Sequence, residues 1–104
     1  MSAPTRVVDA ARLLREHGIN AKVTTYDQDG GHGVHTIEVF RSGDLPDDPF
    51  VTFRTEDGRW CSEDGEIVRG PSGFSGHAVP ADEDNPRHIA RGILFVLGER
   101  IRNA

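Results

Sequence analysis

The sequence predicts an α+β fold in which an antiparallel β-meander of three to five strands is flanked by an N-terminal and a C-terminal helix. Both ends of the chain carry apolar residues at helical spacing, whereas the middle alternates between apolar and polar residues. Asp-Gly pairs, which favour tight hairpin turns, separate the middle segments. Both helices are expected to pack on one face of the sheet. The length of 104 residues predicts a single domain.

The first helix is predicted over residues 4–17. Its apolar side chains fall on one stripe that includes Val7 and Leu14, and its charged side chains lie on the opposite side. Gly18 followed by Ile19 is typical of a Schellman stop, in which a left-handed glycine ends the helix and the next apolar residue packs back on it.

The strands are predicted to be short and to follow one another closely, at residues 22–26, 35–40, 50–55 and 60–62, with 66–69 as a fifth. Alternation then assigns one face of the sheet to the core. The residues predicted to be buried are Val23, Thr25, Ile37, Val39, Val51 and Phe53. Those predicted to face solvent or a partner are Lys22, Thr24, Tyr26, Thr36, Glu38, Phe40, Thr52 and Arg54.

The last helix is predicted to begin at Asn85-Pro86 and to extend to about residue 102, because asparagine caps helices and proline is tolerated in their first turn. Apolar residues cover nearly half of its circumference. Phe95 is out of register and lies on the polar side with several arginines. Phe95 could pack against Phe74, which belongs to a long Gly-, Pro- and Ser-rich loop at residues 70–84. The alternative is that Phe95 contacts a partner or a second copy of the chain.

The net charge of −5 divides unevenly along the chain. Residues 1–19 carry three arginines against two acids, residues 20–84 carry five basic against fourteen acidic side chains, and residues 85–104 carry four arginines against one acid. The meander is therefore acidic and the last helix is basic. One interpretation is that the acids are turn residues and solubilisers; the other is that they attract a basic partner.

Several properties of the chain predict a cytoplasmic protein without a membrane span. The longest fully apolar run has only five residues, Ile93 to Leu97. The N-terminus lacks the pattern of a signal peptide, and a single cysteine cannot form an internal disulfide. Eleven of the twelve basic residues are arginine, which is typical of a GC-rich genome and suggests a bacterium or its phage.

No catalytic motif, metal site or cofactor-binding loop is predicted. His32 and His35 would lie on opposite faces of a strand and lack further ligands nearby. Asp27, Asp29 and Glu38 superficially have the spacing of a calcium loop, but His32 stands where that loop needs glycine. Cys61 is close to acidic residues that disfavour a reactive thiolate, so it is predicted to be structural.

The order α-β-β-β-α is similar to that of the double-stranded-RNA-binding domain. That resemblance implies a nucleic-acid-binding function and a lysine-rich start of the last helix. Here the residues before the helix cap are Asp82, Glu83 and Asp84, which repel phosphate. The resemblance extends to the order of elements only, and nucleic-acid binding ranks as the third hypothesis.

The leading hypothesis is a non-catalytic protein–protein interaction module, such as an adaptor, a chaperone or an inhibitor, that uses its acidic surface on a basic protein partner. Homodimerisation through the exposed aromatic side chains is an alternative. The residues predicted to contact the partner are Asp47, Asp48, Glu56, Asp57, Glu63, Asp64, Phe74, His77 and Phe95. The second hypothesis is a small ligand-binding or catalytic domain, with a cleft under the loop at 70–84 that uses His35, Cys61 and His77.

Overall fold

The first helix and its C-terminal stop form as the sequence predicts. The structure, a computed structural model, describes residues 5–27, 33–45, 47–69 and 77–102. Helix α1 spans Thr5–Glu16 and buries four small or apolar side chains. The Gly18 backbone is left-handed, with φ of 84°. The Gly18 N–H donates to the Arg15 carbonyl and the Ile19 N–H to the Leu14 carbonyl, both at 3.0 Å, which is the Schellman pair of hydrogen bonds.

Four strands follow as an antiparallel meander with the spatial order β1-β2-β3-β4. Their bounds are Asn20–Asp27 for β1, Gly33–Phe40 for β2, Val51–Glu56 for β3 and Arg59–Ser62 for β4. Each strand begins and ends within two residues of its predicted position. The turn between β3 and β4 places both Asp57 and Gly58 at positive φ, 54° and 80°, as a type I′ hairpin turn requires.

One face of the sheet forms the core together with both helices. Ile37, Val39, Val51 and Phe53 are buried on this inner face, as predicted, and Val23 is partly buried against the same cluster. The side chains of Thr25 and Tyr26 lie outside the described part of the chain. Trp60 on β4 is also completely buried, although its short strand offered no clear alternation.

The outer face of the sheet differs from the prediction at one position. Thr36 was assigned to solvent or a partner, but only 2% of its surface is exposed. The reason is its place in a central strand, where Thr24 stands beside it on β1 and the long side chain of Arg54 beside it on β3. Lys22 at the edge of the sheet is exposed, as predicted.

The predicted fifth strand is reduced to isolated bridges: Ile67 bridges Cys61 of β4, and Arg69 bridges Ala78 of the segment that follows. Val79 forms backbone hydrogen bonds both to β4 and to the segment at residues 66–69. Its carbonyl accepts the Trp60 N–H at 2.8 Å and its own N–H donates to the Val68 carbonyl at 2.9 Å. A returning segment of the chain thus completes the edge of the sheet and interrupts a regular fifth strand.

Helix α2 spans Pro86–Arg102 and begins at the predicted cap. The Asn85 side-chain oxygen accepts the Arg87 N–H at 3.0 Å, which satisfies one of the free donors at the helix start. The Asn85 N–H in turn donates to the Glu83 carboxylate, which also contacts His88 at 3.2 Å. Among the described residues, no helix has both the length and the apolar character needed to cross a membrane.

Replacing Asn85 with alanine is expected to lower the free energy of unfolding by about 1 kcal/mol, because the Arg87 N–H loses its acceptor. Urea denaturation of the variant and the wild type measures the difference. Asp82→Ala is the control, since this acid is exposed and lies outside the cap. Equal losses for the two variants would contradict a capping role for Asn85.

Candidate protein-interaction surface

Four of the predicted acidic residues come together at one end of the sheet. Asp47 and Asp48 precede β3, and Glu63 and Asp64 follow β4. Because β3 and β4 are antiparallel neighbours, the start of one lies beside the end of the other. The Glu63 N–H donates to the Thr52 carbonyl at 2.9 Å, which holds the segment after β4 against the start of β3. All four acids are exposed, and we call them the acidic end.

The other two predicted acids are not part of this group. Glu56 and Asp57 belong to the β3–β4 turn, at the opposite end of the hairpin. The six residues of β3 separate the two ends by about 20 Å. Glu56 is also engaged by Arg54, whose guanidinium lies 3.1 Å from the Glu56 carboxylate. A partner that contacts the acidic end would therefore need a large footprint to reach Glu56.

Phe95 borders a groove next to the acidic end. It remains 39% exposed in the middle of α2, as its position out of register predicts. Together with other side chains of α2 and the segment after β4, it encloses about 360 Å³, and we call this the Phe95 groove. Its lining residues are Gly65, Glu66, Ile67, Arg69, Phe95, Val96 and Glu99. The groove therefore has an apolar part and a polar wall with two carboxylates and one guanidinium.

Of the seven described lining residues of the Phe95 groove, six are not among the predicted contact residues. The position of Glu99 near Phe95 is predictable from the sequence, because Glu99 lies four residues after Phe95 and therefore on the same side of the helix. The positions of Glu66 and Ile67 are not predictable in this way, since the sequence predicts an ordinary fifth strand for them. Only the isolated bridge between Ile67 and Cys61 places them opposite α2.

The last two predicted contact residues are in the long loop. Phe74 lies outside the described residues, so the predicted packing of Phe74 on Phe95 stays a prediction. His77 is exposed and immediately precedes Ala78, which bridges Arg69 on the polar wall of the Phe95 groove. His77 therefore lies beside the Phe95 groove.

An acid that was not predicted as a site residue, Asp44, has a structural role close to β2. Its carboxylate accepts the Arg41 N–H at 2.7 Å and lies 3.6 Å from the Arg41 guanidinium. The same guanidinium stacks on the Phe50 ring, 4.5 Å from its centre. Asp44 therefore stabilises the β2–β3 connection.

The residues proposed for a catalytic or ligand-binding cleft do not converge. His35 lies on the inner face of β2, two residues before the buried Ile37. Cys61 lies on the outer face, paired with Arg54. The sheet thus separates the imidazole from the thiol. Burial and the nearby Glu56 carboxylate raise the pKa of Cys61, which makes the thiol a poor nucleophile at neutral pH.

Burial and the positive charge of Arg6 lower the pKa of His35 below its ordinary value of 6.5. The unfolded chain then binds a proton at a higher pH than the folded protein does. Neutral His35 therefore contributes fully to the free energy of unfolding above about pH 6.5. This contribution is lost as the pH decreases through the lowered pKa.

Replacing His35 with glutamine is therefore expected to make the free energy of unfolding less sensitive to pH between about 7 and 5. Urea denaturation at several pH values measures this sensitivity. Leu45→Ala, at an exposed position without a titratable group, is expected to leave the pH dependence close to that of the wild type. An unchanged slope in His35→Gln would contradict the assignment.

Within the described residues, no group of three or more His, Cys, Asp or Glu side chains is arranged to hold a metal ion. Comparison with protein-family models, with curated proteins and with solved structures gives no significant match.

Proposed function

We propose that the protein is a non-catalytic protein-binding module that recognises a basic segment of its partner at the Phe95 groove and the adjoining acidic end. The observation that carries this proposal is the half-exposed Phe95 ring beside the carboxylates of Glu66 and Glu99. Exposed aromatic side chains in a concave surface are typical anchors of protein interfaces.

The charge around the groove supports a basic rather than an acidic partner. The polar wall carries two carboxylates against one guanidinium, and Gly65 on the groove directly follows the exposed pair Glu63 and Asp64. Such a field speeds up association with a positively charged segment and disfavours acidic competitors. The partner segment would place an apolar side chain against Phe95 and arginine or lysine side chains toward the acids.

Selection from short random peptides displayed on phage tests this proposal. The peptides that the wild-type protein retains are expected to combine an apolar residue with flanking arginine or lysine. Their affinity is expected to fall as the ionic strength rises, because the acidic end is exposed and its attraction is screened. Enrichment of acidic peptides on this surface, or affinities that are indifferent to salt, would overturn the proposal.

Two matched variants localise the binding. Phe95→Ala is expected to lower the affinity for the selected peptides about tenfold or more, because the substitution removes the aromatic ring that anchors them. Val8→Ala is the control, since Val8 is similarly exposed, at 43%, but belongs to α1. Equal effects of the two substitutions would show that the peptides bind elsewhere.

A further inference from the structure

A second groove runs between the two helices, on the side away from the sheet. The C-terminal half of α1 forms one wall and the N-terminal half of α2 forms the other. The groove encloses about 460 Å³ and is lined by Leu13, His17, Arg87, Ala90, Arg91 and Leu94. We call it the interhelical groove. Its apolar floor consists of Leu13, Ala90 and Leu94, and its rim is basic.

The basic rim is not neutralised by acids of the groove, since no carboxylate is among its described lining residues. Arg87 and Arg91 are both exposed and stand one helical turn apart, about 6 Å along the axis. Glu16 is exposed next to His17 but is not among the described lining residues of the groove. Asp9 pairs with Arg12 at 3.3 Å, and Glu83, which precedes α2, contacts His88 at 3.2 Å.

From this combination of an apolar floor and a basic rim, we propose that the interhelical groove binds an acidic amphipathic helix of a partner protein. The floor presents apolar side chains from both walls, which suits a helix that inserts residues spaced three and four apart. From Arg87 to Leu94 the groove extends about 10 Å along α2, which corresponds to two turns of a bound helix. Carboxylates on the flank of that helix would meet Arg87 and Arg91.

The same features disfavour a nucleic acid in this groove. Leu13 and Leu94 cannot donate a hydrogen bond to a phosphate backbone. The start of α2 would have to approach that backbone, and the acids at residues 82–84 directly precede this start. The net charge of −5 adds long-range repulsion. An acidic helix uses the apolar floor as well as the arginines and is therefore the better fit.

This interaction is independent of the proposed function at the Phe95 groove. Leu94 and Phe95 are consecutive on α2 and therefore point about 100° apart, toward different grooves. The described linings of the two grooves differ in charge, so the grooves favour different partners, although Arg91 stands one helical turn before Phe95. A chain with both surfaces occupied would connect a basic and an acidic partner.

A displayed library of helical peptides, randomised along one face, tests the interhelical groove. Selection on the wild-type protein is expected to enrich leucine or another apolar residue at spacings of three and four, with aspartate or glutamate beside them. The double variant Arg87→Glu and Arg91→Glu is expected to lose at least tenfold in affinity for these peptides. Phe95→Ala is expected to retain them, which separates this proposal from the one above.

A second double variant controls for total charge. Lys22→Glu with Arg59→Glu changes the net charge by the same amount at exposed positions outside the groove, and it is expected to bind the acidic helices nearly as well as the wild type. Circular dichroism establishes that both double variants are folded. Failure to enrich any acidic amphipathic peptide, or equal losses in the two double variants, would overturn the proposal. So would a short RNA or DNA duplex that displaces the peptides and binds more tightly than they do.

Discussion

Replacing Phe53 with alanine is expected to lower the free energy of unfolding by about 3–5 kcal/mol, the largest loss among the substitutions considered. The Phe53 ring is completely buried on β3, and its strand pairs with both β2 and β4. Removing it leaves a cavity under both helices that the paired backbone cannot close. Chemical denaturation monitored by circular dichroism measures the loss.

Phe95→Ala is the matched control for Phe53→Ala, because it removes the same atoms from a ring that is 39% exposed. We expect a loss of less than about 1.5 kcal/mol there, since part of the ring already contacts water. Similar losses at Phe53 and Phe95 would mean that Phe95 is a core residue. The Phe95 groove would then not be a docking site.

The second large effect is expected at Gly92, where α2 approaches the segment after β4. A β-carbon on Gly92 would lie 2.5 Å from a methyl carbon of Val68 and 2.6 Å from the carbonyl oxygen of Arg69. The Arg69 backbone bridges Ala78 and is not free to retreat. Overpacking of this kind costs about 3 kcal/mol, and the better helix propensity of alanine returns about 1 kcal/mol. Gly92→Ala should therefore lose about 2 kcal/mol.

Gly98→Ala provides a control of opposite sign on the same helix. A β-carbon at Gly98 has no neighbour within 4 Å, so the substitution is expected to raise the free energy of unfolding by about 0.5–1 kcal/mol through helix propensity alone. Thermal and urea denaturation of the two variants measure both effects. A stabilised Gly92→Ala would contradict the close contact between α2 and residues 68–69.

Local signals in the sequence were sufficient for the fold class and for most element bounds. Gly18, Asp57-Gly58 and Asn85 each specify a backbone geometry over a few residues, and the structure confirms all three. The alternation of β2 and β3 likewise identifies the inner face, because side chains of a strand point to opposite faces by geometry alone.

Two predictions were incomplete because they depend on neighbours that are distant in sequence. Thr36 is buried on the outer face by residues of β1 and β3, which alternation within β2 cannot reveal. The fifth strand gives way to bridges because Val79, eleven residues after Val68, takes up hydrogen bonds beside β4. In both cases long-range packing decides what a local pattern leaves open.

The same distinction between local pattern and long-range packing applies to the candidate surfaces. Composition and helical periodicity were enough to predict the acidic character of the meander, the basic character of α2 and the unusual position of Phe95. The packing of β3 beside β4 was needed to place Asp47, Asp48, Glu63 and Asp64 at one end and Glu56 and Asp57 at the other. Packing between elements likewise brings Glu66 to face Phe95 and Leu13 to lie beside Leu94. Grooves form between elements far apart in the chain, and their shape depends on how those elements pack.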